Sequence, residues 1–284
     1  MLTLGVVIAT KGRPEATRHV VESLALVLDA GDRLVVIDQS PDMGGLAHVC
    51  DDLEVGYVPF TDGGLPAARN VGVAALDTDI VLFVDDDIVP RPGLLQAHRE
   101  AYDDPTVGGV GGRILERVLR PNSDVNENRV GWDGRIRTRL DGLSAGTLAT
   151  LKGCHMSFRR TLWVQVGGAD EGFAGTFYYE DADVSTRIRQ LGYRLLYQPS
   201  ACVEHLSLPA GGVRSVTPRG AMIWRARNSG RFLAKHRGWV AVMAALPVWI
   251  AMGALRGAQW RSPHLVWGIP VAFVEGARGA RASR

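Results

Sequence analysis

The chain has 284 residues, 46% of them hydrophobic, 22% charged and 34 of them glycine, enough for one large domain or a domain with an appendage. Its three cysteines, Cys50, Cys154 and Cys202, are far apart with no CxxC pair, which argues against a disulfide scaffold or a zinc site and fits a reducing compartment. The net charge of +2 hides an asymmetry: residues 1–213 carry 20 Lys and Arg against 29 Asp and Glu, whereas residues 214–284 carry 12 against the single acid Glu275.

In chain order, Leu4 to Ala9 is a short apolar strand, reached from Met1 with no export signal before it. A loop over Thr10 to Pro14 leads to a helix over Glu15 to Ala30, with Val20, Leu24 and Leu28 on one face. Arg33 to Ile37 is a second strand ending at Asp38, followed by turn residues from Ser40 to Gly45. Glu54 to Val58 is a third strand, and Gly63-Gly64-Leu65-Pro66 opens a helix over Ala67 to Ala75. Ile80 to Val84 is a strand apolar on both faces, with Ile88-Val89-Pro90 after it. Alternating strands and helices predict an α/β fold with a parallel, Rossmann-like sheet.

The middle is less regular. Val107 to Ile114 is strand-like, and Arg120 to Arg139 is polar, with a hairpin turn at Asp133-Gly134. The 115–150 stretch is either a loop over a site or a surface excursion. A helix carries Val184, Ile188 and Leu191 on one face, and Tyr193 to Tyr197 and Ala201 to Glu204 are two closing strands. Near the C-terminus, Val240 to Leu255 has no charge, tryptophans punctuate the region, and Arg256 and Arg261 follow. This run is short for a membrane span. It suits an anionic membrane interface, or else a helix pair packed on the body or a homodimer contact. Apolar runs in the basic tail fit lipid better than a nucleic-acid groove, so no nucleic acid is expected.

The sharpest chemical feature is Asp85-Asp86-Asp87 at the C-terminal end of the Ile80–Val84 strand, the end where ligands bind in open α/β sheets. Three adjacent carboxylates repel one another, so they form either an acidic turn in water or a site for a hard divalent cation, with Asp85 and Asp87 as its ligands. Asp38, the acidic pair Glu180-Asp181 and His205 also fall at element ends. Taken alone, Glu180, Asp181 and Asp183 simply favour the start of the following helix.

Several segments in this order resemble the family 2 glycosyltransferases, inverting enzymes with the GT-A fold. They are Val6 to Pro14, Val35 to Ser40, Gly64 to Gly72, Asp85-Asp86-Asp87 as a DxD motif, Lys152 to Arg160, Val166 to Glu171, and Glu180-Asp181. The resemblance covers roughly residues 3–207. It implies a catalytic domain over residues 1–210 and a basic, Trp-rich helical extension over 211–284. It implies Asp181 as the catalytic base with Glu180 orienting the acceptor, and Mg²⁺ or Mn²⁺ held by Asp85 and Asp87 with His205. Thr10, Lys11, Arg13, Asp38, Arg69, Asp85 and Asp86 would bind the nucleotide sugar, and Gly153 and His155 the acceptor.

Two positions depart from the family pattern: Lys11 stands where an aromatic residue often stacks on the base, and His155 where Asn is usual. The Gln-x-x-Arg-Trp motif of processive synthases is absent, and Trp224-Arg225-Ala226-Arg227 only loosely echoes it. The expectation is one sugar transferred per encounter from a nucleotide-diphosphate sugar to a glycan or lipid-linked saccharide, at the inner face of the cytoplasmic membrane. The alternatives are a polyprenyl phosphate acceptor and a non-catalytic nucleotide-sugar or membrane-binding module. A Rossmann dehydrogenase is excluded, because Lys11-Gly12-Arg13-Pro14 does not supply G-x-G-x-x-G.

Overall fold

The structure is a computed structural model that describes residues 1–40, 45–116, 126–208, 211–212 and 216–280. The Pro41–Gly44 part of the expected turn and residues 117–125 of the polar insert lie outside the described residues.

Apolar runs rich in β-branched residues build the first half of the sheet. Strands β1 (Leu4–Thr10), β2 (Arg33–Asp38), β3 (Gly56–Pro59) and β4 (Ile80–Val84) pair in parallel in the order β3–β2–β1–β4. Every residue of β4 is buried, as its unbroken apolar run requires. Helices α1 (Pro14–Ala25) and α3 (Leu65–Ala74) both start with proline in the first turn, where a missing N–H costs nothing. Helix α1 stops short of the expected Ala30. There Asp32 takes over the backbone, accepting from the Asp29 and Leu4 amides and pairing with Arg99.

The second half of the sheet is mixed. Strand β10 (His155–Arg159) runs antiparallel between β4 and β6 (Val107–Glu116), and β11 (Arg194–His205) runs parallel beside β6. Strands β5 (Ile88–Pro90) and β9 (Gly146–Thr147) pair antiparallel with β11. Among the described residues this makes one nine-stranded, mostly parallel sheet, in which only β5, β9 and β10 run against the rest. The two expected closing strands are one strand, β11, with a register break between Gln198 and Cys202. Pro199 lies in the break, where it need not donate to a ladder. The hairpin β7 (Glu127–Val130) to β8 (Ile136–Arg139) also differs from expectation: Val130 pairs with Ile136, so five residues, 131–135, make the connection. Asp133 is buried within it and accepts hydrogen bonds from Arg135 and Arg137.

The C-terminal segment folds as two antiparallel-packed helices, α7 (Pro218–Gln259) and α8 (His264–Gly279), and it lies against the body. A second apolar core joins Phe232, Leu233, Trp249, Leu265, Ile269 and Phe273 of the hairpin to Val130, Phe173, Tyr179 and Ala182 of the body. Gly238, at φ 75°, kinks α7. Buried charges fasten the two parts. Asp183 is fully buried on helix α6 (Glu180–Gln190) and meets Lys235 at 2.8 Å, His236 at 2.7 Å and Arg187 at 2.6 Å. Asp170 meets Lys235 at 2.7 Å and Arg231 at 2.9 Å.

Candidate active site

A cavity of about 730 Å³ opens where β1, β4, β6 and β11 end. Because β10 is reversed, the Lys152–Cys154 segment that leads into it arrives at this same end. The N-terminal ends of α3, α6 and α7 complete the wall through Leu65 and Arg69, Glu180 and Asp181, and Pro218 and Ala221.

The three aspartates occupy the tight turn from β4 to β5, and each has a different environment. Asp86 is buried: Thr10 donates to it at 2.7 Å and Arg13 at 2.7 Å. Burial pushes its carboxyl up to about 6, against the pull of Arg13 and Thr10. Asp87 is also buried, and burial opposes its ionisation. His205, the Leu208 amide and Arg13 nevertheless hold its carboxyl below the ordinary value. Asp85 is half-exposed to the cavity.

Asp85, Asp87 and His205 offer ligand atoms that all lie within 4.8 Å of one another. His205 Nε2 is 3.3 Å from Asp87 Oδ1 and 3.8 Å from Asp85 Oδ2, while its Nδ1 is 3.2 Å from the Ser207 hydroxyl. Asp87 Oδ1 is buried and accepts no well-formed hydrogen bond. A buried, under-satisfied carboxylate oxygen beside a second carboxylate and an imidazole is a donor set that fits a divalent cation such as Mn²⁺ or Mg²⁺.

The start of α6 lines the same cavity. Two non-glycine residues with left-handed backbone, Phe177 (φ 54°) and Tyr179 (φ 81°), turn the chain into the helix. Tyr179 is held there by burial and by donating to Gly134 O at 2.7 Å. Asp181 Oδ2 accepts from the Gly153 amide at 2.8 Å, and Oδ1 from the Ala182 amide at 2.7 Å. Burial raises its carboxyl, so it has more affinity for a proton than an ordinary aspartate. Glu180 is 2% exposed and pairs with Arg69, which also donates to Gly153 O at 2.7 Å. Burial pushes the Glu180 carboxyl up to about 7, with Arg69 pulling the other way. Glu180 Oε2 is buried without a hydrogen-bond partner.

Thr10, Lys11, Arg13, Arg69, Asp85, Asp86, Asp87, Gly153, Glu180, Asp181 and His205 therefore converge on one cavity. Two expected residues do not reach it. Asp38 is fully buried at the end of β2, where its carboxylate accepts from the Ser40 amide and the Tyr57 hydroxyl; the next residue, Gln39, lines the wall instead. His155 is also fully buried. Strand alternation turns its ring away from the cavity toward helix α4 (Leu94–Ala101), where His155 Nε2 meets His98 Nε2 at 2.8 Å. Lys152, paired with Glu116 at 2.7 Å, and Tyr178, stacked on Arg225, line the cavity although sequence reasoning passed over them. Their signal was adjacency: Lys152 precedes Gly153 and Tyr178 stands two residues before Glu180.

Residues 5–166, more than half of the chain, match the sequence model of the family described as Glycosyl transferase family 2. The chain is 34% identical over 211 residues to the pre-mycofactocin glycosyltransferase of Mycobacterium tuberculosis, a match covering 70% of this chain and 42% of that protein. It is 25% identical over 190 residues to the glucosyl-dolichyl phosphate glucuronosyltransferase of Haloferax volcanii, covering 64% of this chain and 58% of that one. The chain thus spans about half the length of these curated relatives. Among solved structures it is similar in fold to GalNAc-T7 with UDP, GalNAc and Mn2+ (TM-score 0.66, 17% identity, covering 83% of this chain and 48% of that one). It is also similar to the mannosyltransferase PcManGT of Pyrobaculum calidifontis in complex with GDP-Man and Mn2+ (TM-score 0.58, 17% identity, covering 99% of this chain and 87% of that one). Motifs, sheet order and sequence match agree, and the chain belongs to glycosyltransferase family 2.

Proposed function

We propose that the protein transfers one sugar from a nucleotide-diphosphate sugar to a hydroxyl of a glycan or lipid-linked saccharide, inverting the anomeric centre. The observation that carries this reading is that one cavity is lined by both the Asp85–Asp87–His205 cluster and the Asp181–Glu180 pair. A volume of about 730 Å³ suits a small-molecule ligand. The relative from Haloferax volcanii, whose name carries a dolichyl phosphate, supports a lipid-linked acceptor. The three free cysteines support a cytoplasmic setting.

The donor's diphosphate lies against Asp85, Asp87 and Arg13, and the rest of the nucleotide along Thr10 and Lys11. Asp85, Asp87 and His205 hold Mg²⁺ or Mn²⁺, whose chemistry is to neutralise charge gathering on the diphosphate oxygens. Asp86 fixes Arg13 and Thr10 for the same ligand. Two backbone amides hold the Asp181 carboxylate at the cavity wall. The acceptor oxygen forms its bond to the anomeric carbon as the bond to the diphosphate oxygen breaks. The hydroxyl proton passes to Asp181, and the leaving electron pair stays on the diphosphate. Glu180, held by Arg69 at the cavity wall, orients the acceptor.

The test is a turnover screen of uridine, guanosine and other nucleotide-diphosphate sugars with Mn²⁺, Mg²⁺ or EDTA, reading released nucleoside diphosphate and product anomeric configuration. Metal-dependent release with inverted product is expected. Full activity in EDTA would remove the cation from the reaction, and a retained configuration would remove in-line attack.

A further inference from the structure

Beyond its kink, α7 presents an unpartnered apolar face. Between Val240 and Ala258 every exposed residue is Ala, Val, Met, Pro, Ile or Leu. Val240, Met243, Pro247, Ile250, Ala254 and Leu255 recur at helical spacing, and Val240 is 85% exposed and Leu255 61%. On the neighbouring helix Trp267 is 74% exposed. A contiguous apolar face of this kind marks an interaction site.

Charge selects the occupant. Arg237, which donates to Val130 O and Gly131 O at 2.6 Å, and Arg256, which stacks on Trp260, bracket the stripe, and the exposed Arg261 lies just past its end, while the only acid of residues 214–284, Glu275, is paired with Arg227 at 3.2 Å. A second copy docked face to face would bring these arginines against their own kind without an acid to meet them. An anionic lipid surface supplies acyl chains for the stripe and phosphates for the exposed Arg261 and the net positive charge of this segment.

We propose that α7 docks in the plane of an anionic lipid bilayer through this stripe, with Trp267 beside it at the headgroup level. In-plane docking follows from what the other side of the helix holds. Val242, Ala245, Trp249 and Gly253 are buried, and the Trp249 indole donates to Asp133 O at 2.9 Å in the β7–β8 connection. The uncharged stretch 238–255 is 18 residues, about 27 Å, and by length and composition α7 could cross a membrane, but a helix fixed sideways to a polar hairpin is not free to thread one. The inference goes beyond the transferase reading and stands independently of it.

The experiment is flotation of the full chain with vesicles of phosphatidylcholine alone and of phosphatidylcholine mixed with phosphatidylglycerol. Wild type floats with the anionic vesicles, less so at high salt, and is released by alkaline carbonate. M243E/I250E lowers the floated fraction roughly tenfold, while its circular dichroism and nucleotide-sugar binding stay at wild-type values. The milder M243S/I250S controls for folding and gives an intermediate loss. Three results would overturn the proposal: unchanged flotation of both variants, resistance of wild type to carbonate, or a dimer in sedimentation velocity that the same substitutions dissolve. Nucleotide-sugar binding is read separately, so losing flotation leaves the transferase reading untouched.

Discussion

The sheet core and the hairpin core are filled by different means. Between the strands, β-branched and aromatic side chains such as Val6, Ile8, Val36 and Phe83 supply the contact. Between α7 and α8 the backbones themselves close in. A Cβ on Gly230 would stand 1.8 Å from Phe273 O, and one on Gly276 would stand 1.7 Å from Arg227 O. The first construction fixes side chains at a strand end, which is where the carboxylates must be held. The second sets a helix against the cavity, and its precision depends on glycines that carry no chemistry.

Substitutions at the two places separate chemistry from packing, beginning with the largest expected effect. Asp181 is held by two amides and has raised proton affinity, so Asp181→Asn is predicted to lower kcat by roughly 10²–10⁴ with nucleotide binding by calorimetry retained. Near-normal turnover would take the base role from it. Asp87 carries the under-satisfied oxygen of the cation cluster, and Asp87→Ala is predicted to cost roughly 10²–10³ in metal-dependent kcat. An unchanged Mn²⁺ dependence would count against the cluster.

In the hairpin, Gly276→Val forces the helices apart and is predicted to cost about 1–3 kcal/mol in urea unfolding, with the sheet's far-ultraviolet signal retained. An unchanged midpoint would mean that the second core yields where the first would not.

A pH-dependent effect, independent of turnover, lies behind the sheet. Burial lowers the His155 imidazole to about 3 and that of His98 well below its ordinary 6.5. The unfolded chain therefore takes up these protons before the folded one does. The stability they contribute is present above about 6.5 and is lost as pH falls below it, toward about 3 for His155, at about 1.4 kcal/mol per pH unit for that ring. Unfolding midpoints between pH 7 and 5 test this, and His155→Asn should flatten the slope. An identical slope in the variant would assign the titration elsewhere.

Much of the candidate site was legible because its residues sit at strand ends, where a run such as Ile80–Val84 points to the chemistry that follows it. What stayed hidden was orientation. Asp38 and His155 stand in the right segments, yet one binds Tyr57 and the other faces His98, and side-chain direction is set by neighbours far away in sequence. The reversal of β10 was hidden for a similar reason, since a five-residue apolar strand carries no sign of its direction. Asp183 read as a helix-start acid, while its real partners, Lys235 and His236, lie more than 50 residues on.

That last contact has a practical consequence. A boundary drawn before α7 would leave Asp183 without Lys235 and His236, and Asp170 without Arg231 and Lys235. Asp183 would keep only Arg187, and Val130, Phe173, Tyr179 and Ala182 would lose the apolar cover that the hairpin gives them. Asp183 is on the helix that begins with Glu180 and Asp181, so the damage would fall on the first turn of that helix. The smallest fragment worth expressing as an enzyme therefore runs through α8, well past residue 166, where the match to the family ends.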